Sequence, residues 1–274
     1  MRNLKLLSIL FLGMILLFAA CKKEDDKEDT TPPVVESNGL IKSYLFNGIK
    51  HEFEYDEYKK LIKIKFSDLG SVEGTTVYFE YSGNKLLRWV GYSDGELIAK
   101  VMFSDHNAYD LPTKGEVYIA EDGPLELVQA YTYIYTDDKM TELLVSEVDE
   151  GQETLANKDE YIYTDGNVVT QNIYESYFGS LILTKTISFT FDDKNNPAFS
   201  FGFINFAEDE LFQGMSVMDI NNYTVMEVKD ADGNLKQWNS YNRVFEYNAN
   251  DNPTKCIMTS FDGNEVINLE YEYY

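Results

Sequence analysis

The chain has 274 residues, enough for one large β domain or two small ones, and its 21 Tyr, 17 Phe and 2 Trp favour pleated, half-buried surfaces over helices. It carries 47 acidic against 23 basic residues, a formal charge of −24. That field repels DNA, RNA and anionic lipid, which excludes nucleic acid as a partner, and the acidity reads first as a solvated surface.

The first stretch reads as an address. Arg2 and Lys5 precede an apolar run from Leu6 to Ala20, broken only by Ser8 and Gly13. It is short for a bilayer span and has the layout of a secretory signal. Leu17-Phe18-Ala19-Ala20-Cys21 resembles the bacterial lipobox, which implies a signal peptide over residues 1–20 and lipidation of Cys21. Cleavage there deletes two bases and no acid, taking the charge from −24 to −26. Residues 21–37 then form a lipidated, disordered acidic tether, because Lys22 to Asp29 contains no apolar residue to bury. Its lysine-then-acid order resembles the export signal of Bacteroidetes lipoproteins, implying an outer-membrane lipoprotein facing the cell exterior. Asp29-Thr30-Thr31 resembles the O-glycosylation motif of the same bacteria, and Pro32-Pro33 stiffens the exit.

Residues 38–274 read as one all-β domain. Tyr44 to Tyr55 holds an Asn47-Gly48 pair between alternating runs, the chemistry of a two-residue hairpin turn. An aromatic-x-aromatic-polar unit then recurs along the chain. Its copies are Phe53-Glu54-Tyr55-Asp56, Phe79-Glu80-Tyr81-Ser82, Tyr133-Ile134-Tyr135-Thr136, Tyr161-Ile162-Tyr163-Thr164, Phe189-Thr190-Phe191-Asp192 and Phe245-Glu246-Tyr247-Asn248. Aromatics at i and i+2 share one strand face, the polar residue starts a turn, and an apolar strand resumes five or six residues after the second aromatic. Further turns fall at Asp94-Gly95, Asp122-Gly123, Asp232-Gly233 and Asp262-Gly263. These signals predict roughly 15–18 strands in a single antiparallel meander of hairpins, forming a twisted, curled sheet. One segment breaks the pattern: Phe206 to Met215 has acids followed by apolar residues at helical spacing and predicts a short helix.

The repeated unit, with its Leu/Met/Val-x-x-Ile/Leu return, resembles the YD repeats of Rhs-type proteins. It is closer to Bacteroidetes lipoproteins built from degenerate YD-like repeats. The turns at Asp192–Pro197 and Asn250–Lys255 carry the likeness best. The resemblance implies the fold but no activity. The few, irregular copies argue against a toxin-enclosing shell.

Chemistry is sparse. His51 falls on a predicted strand and His106 in a polar loop, with no nucleophile elbow or phosphate-cradling loop in the chain. Asp230-Ala231-Asp232-Gly233-Asn234 imitates the start of a calcium loop, but Leu235 and Tyr241 stand where such a loop needs Gly and Glu. It is better read as a hairpin turn. Cys256 reads as a small buried hydrophobe. Neither a metal site nor a cofactor is expected. The favoured function is a non-catalytic surface lipoprotein that touches the membrane only through its lipid and binds a protein or glycan through an aromatic sheet face. Trp89 and Trp238 are the candidates for that platform, with filling of the core as the competing reading. A structural envelope lipoprotein is the alternative, and a carboxylate-dependent hydrolase the least favoured one.

Overall fold

The computed structural model describes residues 39–46, 48–68, 74–120, 123–197 and 219–274. The expected helix near 206–215 and the segments 1–20 and 21–37, with Cys21, lie outside these residues. Among the described residues, alternating aromatic and polar residues produce sixteen strands. The first eight are β1 (Ile41–Phe46), β2 (Ile49–Tyr55), β3 (Leu61–Asp68), β4 (Thr75–Ser82), β5 (Lys85–Ser93), β6 (Glu96–His106), β7 (Pro112–Ile119) and β8 (Glu126–Thr136). The rest are β9 (Lys139–Asp149), β10 (Gln152–Thr164), β11 (Asn167–Tyr177), β12 (Ser180–Asn195), β13 (Asn221–Asp230), β14 (Tyr241–Tyr247), β15 (Pro253–Ser260) and β16 (Val266–Tyr273). Each pairs antiparallel with its sequence neighbours.

The meander does not stop at a curled sheet. β1 also pairs with β16, from Ile41 opposite Tyr273 to Phe46 opposite Leu269, and closes the sheet into a barrel. Closure removes two open edges whose backbone groups would otherwise need cover. Tyr274 fastens the join, donating its N–H to the Leu40 carbonyl at 3.2 Å and its hydroxyl to the Phe53 carbonyl at 2.8 Å.

The repeated unit has one structural meaning throughout. In all six copies the ladder slips register just before the second aromatic, at Glu54/Tyr55, Glu80/Tyr81, Ile134/Tyr135, Ile162/Tyr163, Thr190/Phe191 and Glu246/Tyr247. In all six the return strand carries one extra residue, so Ile62, Leu87, Thr141, Val169, Thr224 and Thr254 bulge outward. The inward residues flanking each bulge are therefore three apart. They are Leu61 and Ile64, Leu86 and Trp89, Met140 and Leu143, Val168 and Gln171, Tyr223 and Met226, Pro253 and Cys256, all buried.

A bulge leaves a carbonyl without a ladder partner, and a buried orphan is costly. At Leu61, Met140 and Pro253, and at the β1–β16 register shift by Ile41, the second aromatic of the next hairpin supplies the donor, and Tyr135 does the same for Pro112, where the β6–β7 ladder keeps register. The hydroxyls of Tyr55, Tyr81, Tyr135, Tyr163 and Tyr273 reach the carbonyls of Ile41, Leu61, Pro112, Met140 and Pro253 at 2.7–2.9 Å. His106 does the same with Nε2, to Leu86 at 2.8 Å. Burial pushes these five phenols well above their ordinary pKa, so they remain donors. The latches all lie on the rim where β1 begins; the opposite rim, with its hairpin turns, is the distal one.

Three loops of the latched rim share a second device. Asp56, Asn107 and Asn248 each accept two N–H groups on Oδ1, from the residues two and four places on, and the fourth loop residue has φ near 60°. The Asp230–Asn234 loop on the distal rim repeats this pattern with Gly233 at φ 81°. Lys236, at 2.6 Å, and the Asn234 N–H hold the Asp230 carboxyl down at about 2. That is turn chemistry, as its sequence indicates.

Inside the wall, one continuous cluster of aromatic and aliphatic side chains fills the core, with Trp89, Val101, Leu143, Cys256, Met258 and Leu269 fully enclosed. Arg243 is buried among them, its guanidinium 4.1 Å from the Tyr223 ring centre and 4.9 Å from that of Phe245.

Candidate groove on the outer wall

The outer wall holds the site, and the register of four strands makes it. β3 and β4 pair over only four residues, Lys63–Phe66 against Thr75–Tyr78, whereas β4 and β5 pair along eight. Toward the latched rim β3 and β4 therefore splay, and a groove of about 610 Å³ opens between Glu54, Lys63, Tyr78, Glu80, Tyr92 and Gly95. Ile62, Phe79 and Val90 give it an apolar floor. Ile62 faces outward because it is the bulged residue.

Two tyrosines wall the groove. Tyr78 and Tyr92 meet edge to face, ring centres 5.9 Å apart at 78°, and Tyr78 is 43% exposed. Ion pairs flank them. Lys63 bonds Glu54 at 2.7 Å and lies 5.9 Å from the Tyr78 ring, and the Glu54 bond raises the lysine pKa. Arg88 grips Glu80 through two bonds of 2.7 and 2.8 Å. The result is an aromatic surface bordered by fixed donors and acceptors, suited to stacking against a ring while hydrogen-bonding its hydroxyls. Both carboxylates facing the groove are engaged with cations, and no His, Ser or Cys lines it. Among the described residues no group of three or more His, Cys, Asp or Glu is placed to hold a metal ion.

The structure divides the two tryptophans. Trp89 is fully enclosed and faces the core, so it cannot meet a ligand at the surface of the closed barrel. Trp238 is 64% exposed on a 3-10 turn, Gln237–Asn239, at the distal rim between β13 and β14. Neither lines the groove. His51 lies in the core, stacked on Tyr44 at 4.1 Å, and His106 ends β6 as a latch. Sequence reasoning singled out neither Tyr78 nor Tyr92. Alternation in Val77-Tyr78-Phe79 was the available signal, since it sets Tyr78 opposite two inward residues.

The rest of the outer wall carries charge. Ion pairs stud it at Lys50–Glu52, Lys114–Asp105, Lys158–Glu142 and Lys229–Glu227, in addition to the two at the groove. Among the described residues these charged pairs lie on the outer wall, and the apolar cluster lies within.

No family model matches the sequence, and no curated protein does. Among solved structures, the chain is similar to a porin-like protein from Bacteroides uniformis, at TM-score 0.52 and 12% identity over 85% of this chain and 96% of that one. It is equally similar to a porin-like protein from Bacteroides vulgatus, at TM-score 0.52 and 10% identity over 86% and 99% of the two chains. At such identity the likeness is one of fold.

Proposed function

We propose that this chain is a non-catalytic, surface-exposed envelope lipoprotein, acylated at Cys21, that holds a glycan in the outer-wall groove. The observation that carries this is the Tyr78–Tyr92 pair, open to solvent between two ion pairs on an apolar floor. A sugar ring presents C–H faces for the tyrosines and hydroxyls for Lys63, Glu54, Arg88 and Glu80. The lipobox-like sequence and the charged outer wall support attachment by lipid rather than by the barrel. The solved barrels of the same fold, described as porin-like proteins of Bacteroides, support an envelope setting. Kinship with YD-repeat lipoproteins is part of this reading, supported by the placing of five of the six aromatic copies at the end of an even-numbered strand and the sixth within β12.

Calorimetric titration of the full chain against a panel of neutral, amino and acidic oligosaccharides tests it. At least one class should bind, and Tyr78→Ala with Tyr92→Ala should weaken it at least tenfold while leaving the melting temperature within a few degrees. Binding to none, or equal binding by the double variant, refutes the reading. A structural envelope role is favoured by a different observation, the filled core and latched rim; loss of envelope integrity on deletion, with no glycan bound, would select it. Turnover of a bound glycan that Glu54→Gln or Glu80→Gln abolishes would instead select a hydrolase.

A further inference from the structure

Among the described residues, four two-residue turns place both residues at positive φ. Three are Asp94-Gly95 (52°, 84°), Glu150-Gly151 (47°, 77°) and Asp165-Gly166 (50°, 84°). The fourth is Phe178-Gly179 (49°, 80°), between β11 and β12. Such turns favour Asn, Asp or Gly in their first position, and a bulky residue there is an outlier. Phe178 is 92% exposed, its ring meeting that of Tyr177 with centres 4.5 Å apart. Tyr177, Leu181 and Ile182 are exposed beside it at 63%, 37% and 48%.

The backbone there is also open. β12 pairs with β13 only from Lys185 onward, so Ser180–Thr184 has no partner on that side among the described residues. On the other side Ser180 pairs with Tyr177, Leu181 with Ser176, Ile182 with Glu175 and Leu183 with Tyr174. Residues flanking a two-residue turn exchange hydrogen bonds, so the N–H and C=O groups of Leu181 and Leu183 point away from β11. From Tyr177 to Thr184 the chain has no charged residue, though 26% of the whole is charged and its net charge is −24.

We propose that this edge binds a second copy of the chain, β12 pairing antiparallel with β12 of the copy across a two-fold axis at Ile182. Pairing Leu181 with Leu183 of the copy, and the reverse, satisfies four outward N–H groups and their carbonyls. Two chains of large like charge repel over most of their surface, and this uncharged strip is where they can approach. The exposed side chains amount to roughly 400–500 Å² per copy, or about 900 Å² for the pair, below the ~1,200 Å² of standard stable interfaces. The dimer is therefore weak and concentration-dependent.

The geometry supplies its own test. A non-hydrogen-bonded antiparallel pair sets its Cα atoms about 4.5 Å apart, within disulfide range, so Ile182 should face Ile182 of the copy at that distance. Cells displaying the full chain with Ile182→Cys, mildly oxidised, should yield a crosslinked dimer; buried Cys256 is silent. Val266→Cys, 58% exposed on the same rim, should crosslink at least tenfold less. Adding Leu181→Pro, which removes an outward N–H and no bond to β11, should abolish the Ile182→Cys dimer. No dimer band, equal crosslinking at both cysteines, or persistence with Leu181→Pro each overturns the proposal. Sedimentation of the unsubstituted chain guards against a misfolded variant: a dimer fraction growing with concentration is expected, and a strict monomer into the hundreds of micromolar overturns it.

Discussion

The two rims of this barrel are built by different rules. At the latched rim, bulges, tyrosine hydroxyls and Asx loops tie most hairpins to the one before. At the distal rim, hairpins end in short turns, and Tyr177, Phe178 and Trp238 stand in solvent. One end fixes which residues face inward, and the other is free to present side chains to something outside. Stability should therefore be concentrated at one rim and interaction at the other.

Cavity formation gives the largest contrast. Met140→Ala, at a fully buried bulge position of the latched rim, should cost about 2–5 kcal/mol, whereas Leu181→Ala at the distal rim should cost under about 0.5. Denaturant titration of the two variants checks this, and equal losses would break the distinction.

Acid is the next lever. Burial pushes the His51 imidazole down to about 3, and the rings around it, Tyr44 and Phe66, offer no negative charge. The unfolded chain, with its histidine near 6.5, binds a proton that the folded chain refuses, so this contribution is complete above pH 6.5 and is lost as pH falls toward 3. Between pH 6.5 and 5 the loss should be about 2 kcal/mol. His51→Phe should flatten that part of the stability–pH curve; an unchanged slope would remove His51 as its cause.

A smaller effect isolates one latch. Tyr135→Phe keeps the packing but strands the Pro112 carbonyl, and should cost about 1–2 kcal/mol. Hydrogen exchange should rise at the starts of β7 and β9 and stay unchanged at the distal turns. The smallest effect has the opposite sign. Phe178→Asn relieves a disfavoured turn and should stabilise the fold by about 0.5–1 kcal/mol, read as a higher melting temperature. A destabilised variant would mean that the ring supports the hairpin.

Strand identity was legible because alternation and turn chemistry are local. Every aromatic copy read from the sequence lies on an even-numbered strand, five of the six at its end, and the expected strand number brackets the sixteen among the described residues. Closure was not legible, since β1 and β16 meet across almost the whole described chain and no local pattern announces a pairing between ends. The bulges explain the placing of Trp89. Counting by twos from inward Leu86 sets Trp89 on the outer wall, and the extra residue Leu87 returns it to the core. The groove was hidden for a related reason: it arises where β3 and β4 stop pairing, which depends on register rather than on composition.

Each latch reaches back only to the preceding hairpin, so most repeats carry their own means of attachment. A gene segment encoding one strand pair could be duplicated or lost while its neighbours keep their bonds, and the ring would re-form two strands wider or narrower. The barrel's circumference is thus open to evolutionary drift, with only the β1–β16 join, fastened by Tyr274, held to a fixed design.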